Sequence, residues 1–209
     1  MHYINQYKEP IMDDKFILSQ NDYEEAANFL DIELPALQAV AKIESFNNGF
    51  TDSHKPTILF EGQVFWQELS KRNLLNKTLS TYKNIDDILY KSQTRKYYKN
   101  GDAEWERLNR AKQINEEAAI CSTSYGMFQI MGFNYDVCLC TSVLEYELFN
   151  FASAKEQLLL FCKYIHTEGL TKYLRDKNWK TFALRYNGPG YAKNKYDILL
   201  EQYYYKFKK

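Results

Sequence analysis

Apolar residues recur with helical spacing through most of this chain, and strand-like alternation is confined to one short run. The clearest stretch is Leu34–Phe50, in which Leu37, Val40, Ala41 and Glu44 fall at i, i+3, i+4 and i+7 and share one helical stripe. The first three are apolar, so the stripe carries Glu44 toward the interior. Pro35 suits the first turn of this helix, and Asn47, Asn48 and Gly49 predict its end. A carboxyl at that place meets two effects of one sign: partial burial and the negative end of the helix dipole both disfavour the anion. Both raise its pKa, as a general acid working near neutral pH requires. The alternative is a glutamate that rotates to solvent at a fraying helix end.

Elsewhere the pattern predicts further helices. Residues 1–18 carry no period, which predicts an irregular or partly extended stretch and makes 1–20 a lead-in segment. Asn21, followed three positions later by Glu24, reads as a capped start for a helix Asp22–Leu30. Other predicted helices cover Ala103–Ala119, Ser142–Phe151, Ala154–Glu168, Leu170–Arg175, Trp179–Tyr186 and Ala192–Lys206. Thr51–Pro56 has turn chemistry, and Thr57–Glu61 is a β-type run predicting a strand or hairpin arm next to the Glu44 helix. Val64–Asn100 is polar and rich in lysine, arginine and tyrosine, and predicts a solvated excursion on a cleft flank or an ordinary basic surface. With no repeat, low-complexity tract or linker, the expectation is one mainly α (α+β) domain over 1–209.

Composition narrows the function. The 27 basic and 27 acidic residues cancel, which gives no strong pull toward nucleic acid or membrane. Eight glycines and four prolines disfavour a turn-rich β sandwich. No apolar run approaches the ~18 residues of a membrane span, and the N-terminal stretch has no signal-peptide pattern, so neither stable membrane insertion nor export by a leader is expected. Cys138 and Cys140 form CxC rather than CxxC, and His2, His54 and His166 lie far from any cysteine in sequence. That predicts buried free thiols, no metal site and no cofactor.

Three further elements bear chemistry: Glu44-Ser45 at a helix end, Ser124–Gln129 read as a helix start of the form SxGxxQ, and Tyr186-Asn187-Gly188 at a turn. Each is generic alone. Their order resembles that of goose-type lysozymes and lytic transglycosylases. More closely, KIES with GF (Lys42–Ser45, Gly49-Phe50), KPTILFE (Lys55–Glu61), SYGMFQIMGFNY (Ser124–Tyr135) and RYNGPGY (Arg185–Tyr191) resemble the N-acetylmuramidase catalytic domain of phage endolysins, over roughly residues 20–207. The resemblance implies a lysozyme-like helical domain with a small β-hairpin beside the catalytic helix. It implies cleavage of the β-1,4 bond between N-acetylmuramic acid and N-acetylglucosamine, with Glu44 as the catalytic glutamate. The family usually follows the strand glutamate with a basic residue and a histidine, where this chain has Gly62 and Gln63. Many members also carry a wall-binding domain, for which this length leaves no room.

Glycoside hydrolysis needs an acid and a second group, either nucleophile or base. Glu61 is the first candidate for that second group and Asp52 the next. A single-glutamate mechanism with Thr123, Ser124 or Tyr186 positioning water is the remaining option. Carboxyls ~5–5.5 Å apart favour retention and ~6.5–9.5 Å inversion. Ser124 and Gln129 are expected to line sugar subsites, and Tyr186 and Asn187 to floor the cleft. The expected partner is the peptidoglycan glycan strand, bound by a monomer made in the cytoplasm without a leader. It reaches the periplasmic or extracellular wall after holin-type or secretion-system release. The competing readings are a lytic transglycosylase leaving 1,6-anhydro ends, a chitinase-type activity, and a silent wall-binding module.

Overall fold

The computed structural model describes residues 15–45 and 49–209. The expected helix-ending pair Asn47-Asn48, and most of the lead-in, lie outside the described residues. Helix α1 (Gln20–Leu30) opens two residues earlier than the sequence pattern predicts. Ser19 takes the cap because its hydroxyl accepts from the Asp22 amide, while Asp22 reaches back to the Ser19 N–H at 2.8 Å. This reciprocal pair satisfies two otherwise orphaned donors. Helix α2 (Leu34–Glu44) has Pro35 in its first turn and stops at Glu44, where Ser45 leaves the helical conformation. Leu37, Val40 and Ala41 are fully buried, as their shared stripe requires.

The chain then enters β1 (Ile58–Phe60), α3 (Gly62–Lys71) and α4 (Leu75–Thr81). The basic excursion is thus in good part helical: Phe65 and Leu69, four residues apart, are buried on one face of α3, and Lys71 at its end is exposed. The long predicted helix 103–119 is two, α5 (Asp102–Ile114) and α6 (Glu116–Cys121). The break falls at Asn115, whose side chain accepts the Ala118 amide at 2.9 Å and caps the second helix.

The SxGxxQ stretch is not a helix start. It is a hairpin of β2 (Thr123–Tyr125) and β3 (Ile130–Met131). β1 joins β2 antiparallel across the helices α3–α6 that separate them in sequence, Leu59 opposite Ser124, to give the order β1-β2-β3. Helices α7 (Val143–Ala152), α8 (Ala154–Thr167), α9 (Thr171–Arg175) and α10 (Trp179–Asn187) follow close to their predicted places. The last, α11 (Tyr196–Phe207), begins four residues later than expected, because Pro189–Asn194 wind as a 3-10 turn. Among the described residues, the most extensive element contact is α11 against α2. The C-terminal helix therefore braces the one that ends in Glu44. The expected mainly α class with a small sheet is what the chain forms.

One buried side chain ties the sheet to the loop after α2. Gln157, on α8, donates to the Gly49 carbonyl at 3.2 Å and accepts from the Met127 amide at 2.9 Å. Gly49 and Gly126 both have positive φ, +80° and +71°. A Cβ on either would overlap Gln157, at 2.1 and 2.6 Å respectively. Gly126→Ala is therefore expected to lose about 1–3 kcal/mol of stability through strain and displacement of Gln157. Urea unfolding at fixed pH checks this: a midpoint unchanged from wild type would contradict the packing argument.

Candidate active site

Glu44 is half-buried at the end of α2, and three polar side chains from the C-terminal quarter of the chain turn toward its carboxyl: Tyr196, Tyr186 and Asn187. Burial raises the Glu44 pKa above its ordinary value of 4.5, and the approaching donors pull it back only in part. Tyr186 lies in the last turn of α10 and Tyr196 opens α11, so the turn Gly188–Lys195 delivers both rings to one place. Tyr186 is fixed by Phe182, stacked at 5.6 Å, and by Phe161, edge-on at 6.0 Å. Burial and the neighbouring Glu44 push its hydroxyl well above its ordinary pKa, so it stays a neutral donor. The Tyr196 hydroxyl is buried and has no hydrogen bond of ordinary length and angle. Its influence on Glu44 is therefore that of a close dipole rather than a formed bond.

Glu61 stands at the other end of β1, immediately before α3. Its amide donates to the Ser122 carbonyl at 2.9 Å, and its Oε2 accepts the Tyr98 hydroxyl at 2.5 Å. The preceding strand residue is held by a buried ion pair. The Phe60 amide donates to Glu104 Oε1 at 2.9 Å, and Arg107 donates to Glu104 at 2.6 Å and to the Phe60 carbonyl at 3.2 Å. Asp52 is exposed on the loop between α2 and β1.

Ser124 and Gln129 are brought together, though not as two open sugar contacts. The buried Ser124 hydroxyl donates to Gln129 Oε1 at 2.8 Å. Gln129 Nε2 donates to the carbonyls of Gly126 and Thr57, at 2.7 and 3.2 Å. These bonds brace the hairpin turn, where Gln129 itself has a positive φ of 48°. Gln129 also faces a groove of about 530 Å³ along β1, with Phe50, Asp52, Ile58, Lys99 and Gly101 on its walls. Thr123 is buried and donates to the Ala119 carbonyl at 2.9 Å, which removes it from water positioning.

Tyr196 and Tyr98 escaped the sequence reading as site residues. Tyr196 was legible only as a packing position of the last helix, and Tyr98 only as one aromatic among several. Among the described residues, no group of three or more histidine, cysteine or acidic side chains is placed to hold a metal ion. Cys121, Cys138, Cys140 and Cys162 are free and buried.

A family model described as N-acetylmuramidase matches residues 33–208. The chain belongs to the N-acetylmuramidase family. This makes it a peptidoglycan-degrading glycosidase whose substrate is the bacterial wall. The muramidase chain also aligns with the crystal structure of the Burkholderia AP3 phage endolysin at a TM-score of 0.82. Identity is 31%, and the match covers 93% of this chain and 73% of that one. Among curated proteins no sequence matches. Among the described residues of this muramidase, no helix is long and apolar enough to cross a membrane.

Proposed function

We propose that this single domain hydrolyses the β-1,4 bond between N-acetylmuramic acid and N-acetylglucosamine, with Glu44 as general acid and Glu61 as the second carboxylate. The observation that supports this best is the raised pKa of Glu44, produced by burial at the end of α2 among Tyr186, Asn187 and Tyr196. A carboxyl whose pKa is raised by burial holds its proton to higher pH than an exposed one and can give it to the glycosidic oxygen as the bond breaks. Positive charge then develops at the anomeric carbon, where a second carboxylate offsets it and a water molecule completes hydrolysis. The glycan runs along the groove walled by Phe50, Ile58 and Gln129. Asn187 and Tyr186 hold the acid in place and close the floor beneath it. Gln129 walls the groove, with its amide committed to the hairpin turn and its orientation fixed by Ser124. Lys99 offers a cation to the anionic substituents of murein, an attraction that salt weakens. The protein acts on the wall after release from the cytoplasm by a holin-type or secretion route.

Purified peptidoglycan digested by the wild type should yield soluble muropeptides with reducing N-acetylmuramic acid ends, identified by mass spectrometry. Products with 1,6-anhydro ends would instead make it a lytic transglycosylase using the same acid. Binding of murein without any release would leave only a wall-binding module.

A further inference from the structure

The segment between α4 and α5 reaches back over the junction of β1 and α3 at two points. The Tyr90 hydroxyl accepts the Gly62 amide at 3.2 Å, and the Tyr98 hydroxyl donates to Glu61 Oε2 at 2.5 Å. Gly62 is what admits this approach. A Cβ there would lie 2.3 Å from the Tyr90 ring and 2.8 Å from the Ile88 carbonyl. The segment is anchored independently of Glu61. Arg107 donates to the Asp87 carbonyl at 2.6 Å, the Lys99 amide donates to Glu104 Oε2 at 2.8 Å, and the Tyr90 and Tyr97 rings pack at 5.3 Å. Tyr98 is thus fixed from both sides, and its hydroxyl meets Glu61 from a preset position. Burial and Glu61 together raise the pKa of that hydroxyl, so it stays protonated and donates.

We propose that Tyr98 is a positioning residue for the reaction: its hydroxyl holds Oε2 of Glu61 and so fixes the direction in which the other carboxylate oxygen faces the glycan. This rests on the reading of Glu61 as the second carboxylate. A long carboxylate side chain at the start of a helix otherwise samples several rotamers, and each one away from the productive geometry slows the chemical step without weakening binding. One charge-assisted hydrogen bond is enough to select one of them.

The test is Tyr98→Phe, assayed on soluble uncross-linked glycan strands with kcat and KM separated. The expected result is a drop of about tenfold in kcat with KM within about twofold of wild type, because the lost bond acts on geometry alone. In a Glu61→Asp background, whose shorter side chain withdraws the carboxyl from the hydroxyl, the same change should cost less than about twofold. An unchanged kcat in Tyr98→Phe, a raised KM at unchanged kcat, or the full tenfold loss in the Glu61→Asp background would each overturn the proposal. Glu61→Gln separates the two levels of the argument. If it hydrolyses like wild type, the role of Glu61 itself fails. If it is inactive while Tyr98→Phe is normal, only the positioning fails.

Discussion

Glu44→Gln is expected to lower the rate of glycan cleavage by about 10²–10⁴-fold while leaving the fold intact. Glutamine has the size and shape of the carboxyl it replaces, but it cannot deliver a proton to the leaving oxygen. The pH dependence makes the prediction sharper. Because the folded enzyme raises the Glu44 pKa above 4.5, the competent, protonated form persists above that value and is lost as pH rises through the raised pKa. The wild-type rate should therefore show an alkaline limb that the variant lacks. Stability runs in the matching direction. Below pH 4.5 the carboxyl is protonated in the folded and unfolded chains alike, so it contributes nothing. As pH rises through the raised folded pKa, the unfolded chain ionises more readily, and the wild type loses stability that Glu44→Gln keeps. Melting curves should coincide at low pH and separate toward neutral pH, with the variant the more stable. A variant that lyses walls at the wild-type rate would remove Glu44 from the chemistry. A variant less stable at pH 7 than at pH 4, relative to wild type, would contradict the burial argument.

The placement of Glu44 was legible in the sequence because it depends on local spacing. Three apolar positions and a carboxyl on one stripe define an inward-facing helix end, and the helix forms with that stripe buried. What surrounds Glu44 was only half legible. Tyr186 and Asn187 announced themselves through the motif they share with the family. Tyr196 did not, since nothing local distinguishes it from a core tyrosine; it reaches Glu44 because α11 packs along α2, a long-range fact. The hairpin at Ser124–Gln129 was misread for a similar reason. Its strands are only three and two residues long, too short for an alternation to show, and its turn needs positive φ at both Gly126 and Gln129. What stabilises that geometry is Gln157 and the Thr57 carbonyl, both remote in sequence. The departure after Glu61 likewise gains a physical meaning only in three dimensions. Gly62 removes a side chain that would collide with Tyr90, which allows the segment carrying Tyr98 to support Glu61.

The largest stability effect is expected from Arg107→Met. Glu104 is fully buried and Arg107 nearly so. Together they saturate the end of β1: Glu104 accepts the Phe60 and Lys99 amides, and Arg107 donates to the carbonyls of Phe60 and Asp87. The guanidinium also lies over the Phe60 ring, 5.2 Å from its centre. A methionine restores much of the volume but none of the donors. It leaves Glu104 as a buried charge facing two amides, with two carbonyls unpaired beside it. Removing one partner of such a pair costs about 3–5 kcal/mol, because the remaining charge stays desolvated. For a domain of this size each kcal/mol moves the melting temperature by roughly 2–4 °C, which gives a fall of about 6–20 °C. Replacing both partners, Glu104→Gln with Arg107→Met, should recover part of the loss, since the uncompensated charge is gone while an amide remains to accept the Phe60 N–H. If the single variant melts within 2 °C of wild type, the pair does not hold the strand. The same substitution bears on function through geometry: Phe60 precedes Glu61, and the Lys99 amide follows Tyr98 in the chain. Loosening Arg107 therefore releases both ends of the Glu61–Tyr98 contact, and activity should fall at temperatures where the variant is still fully folded.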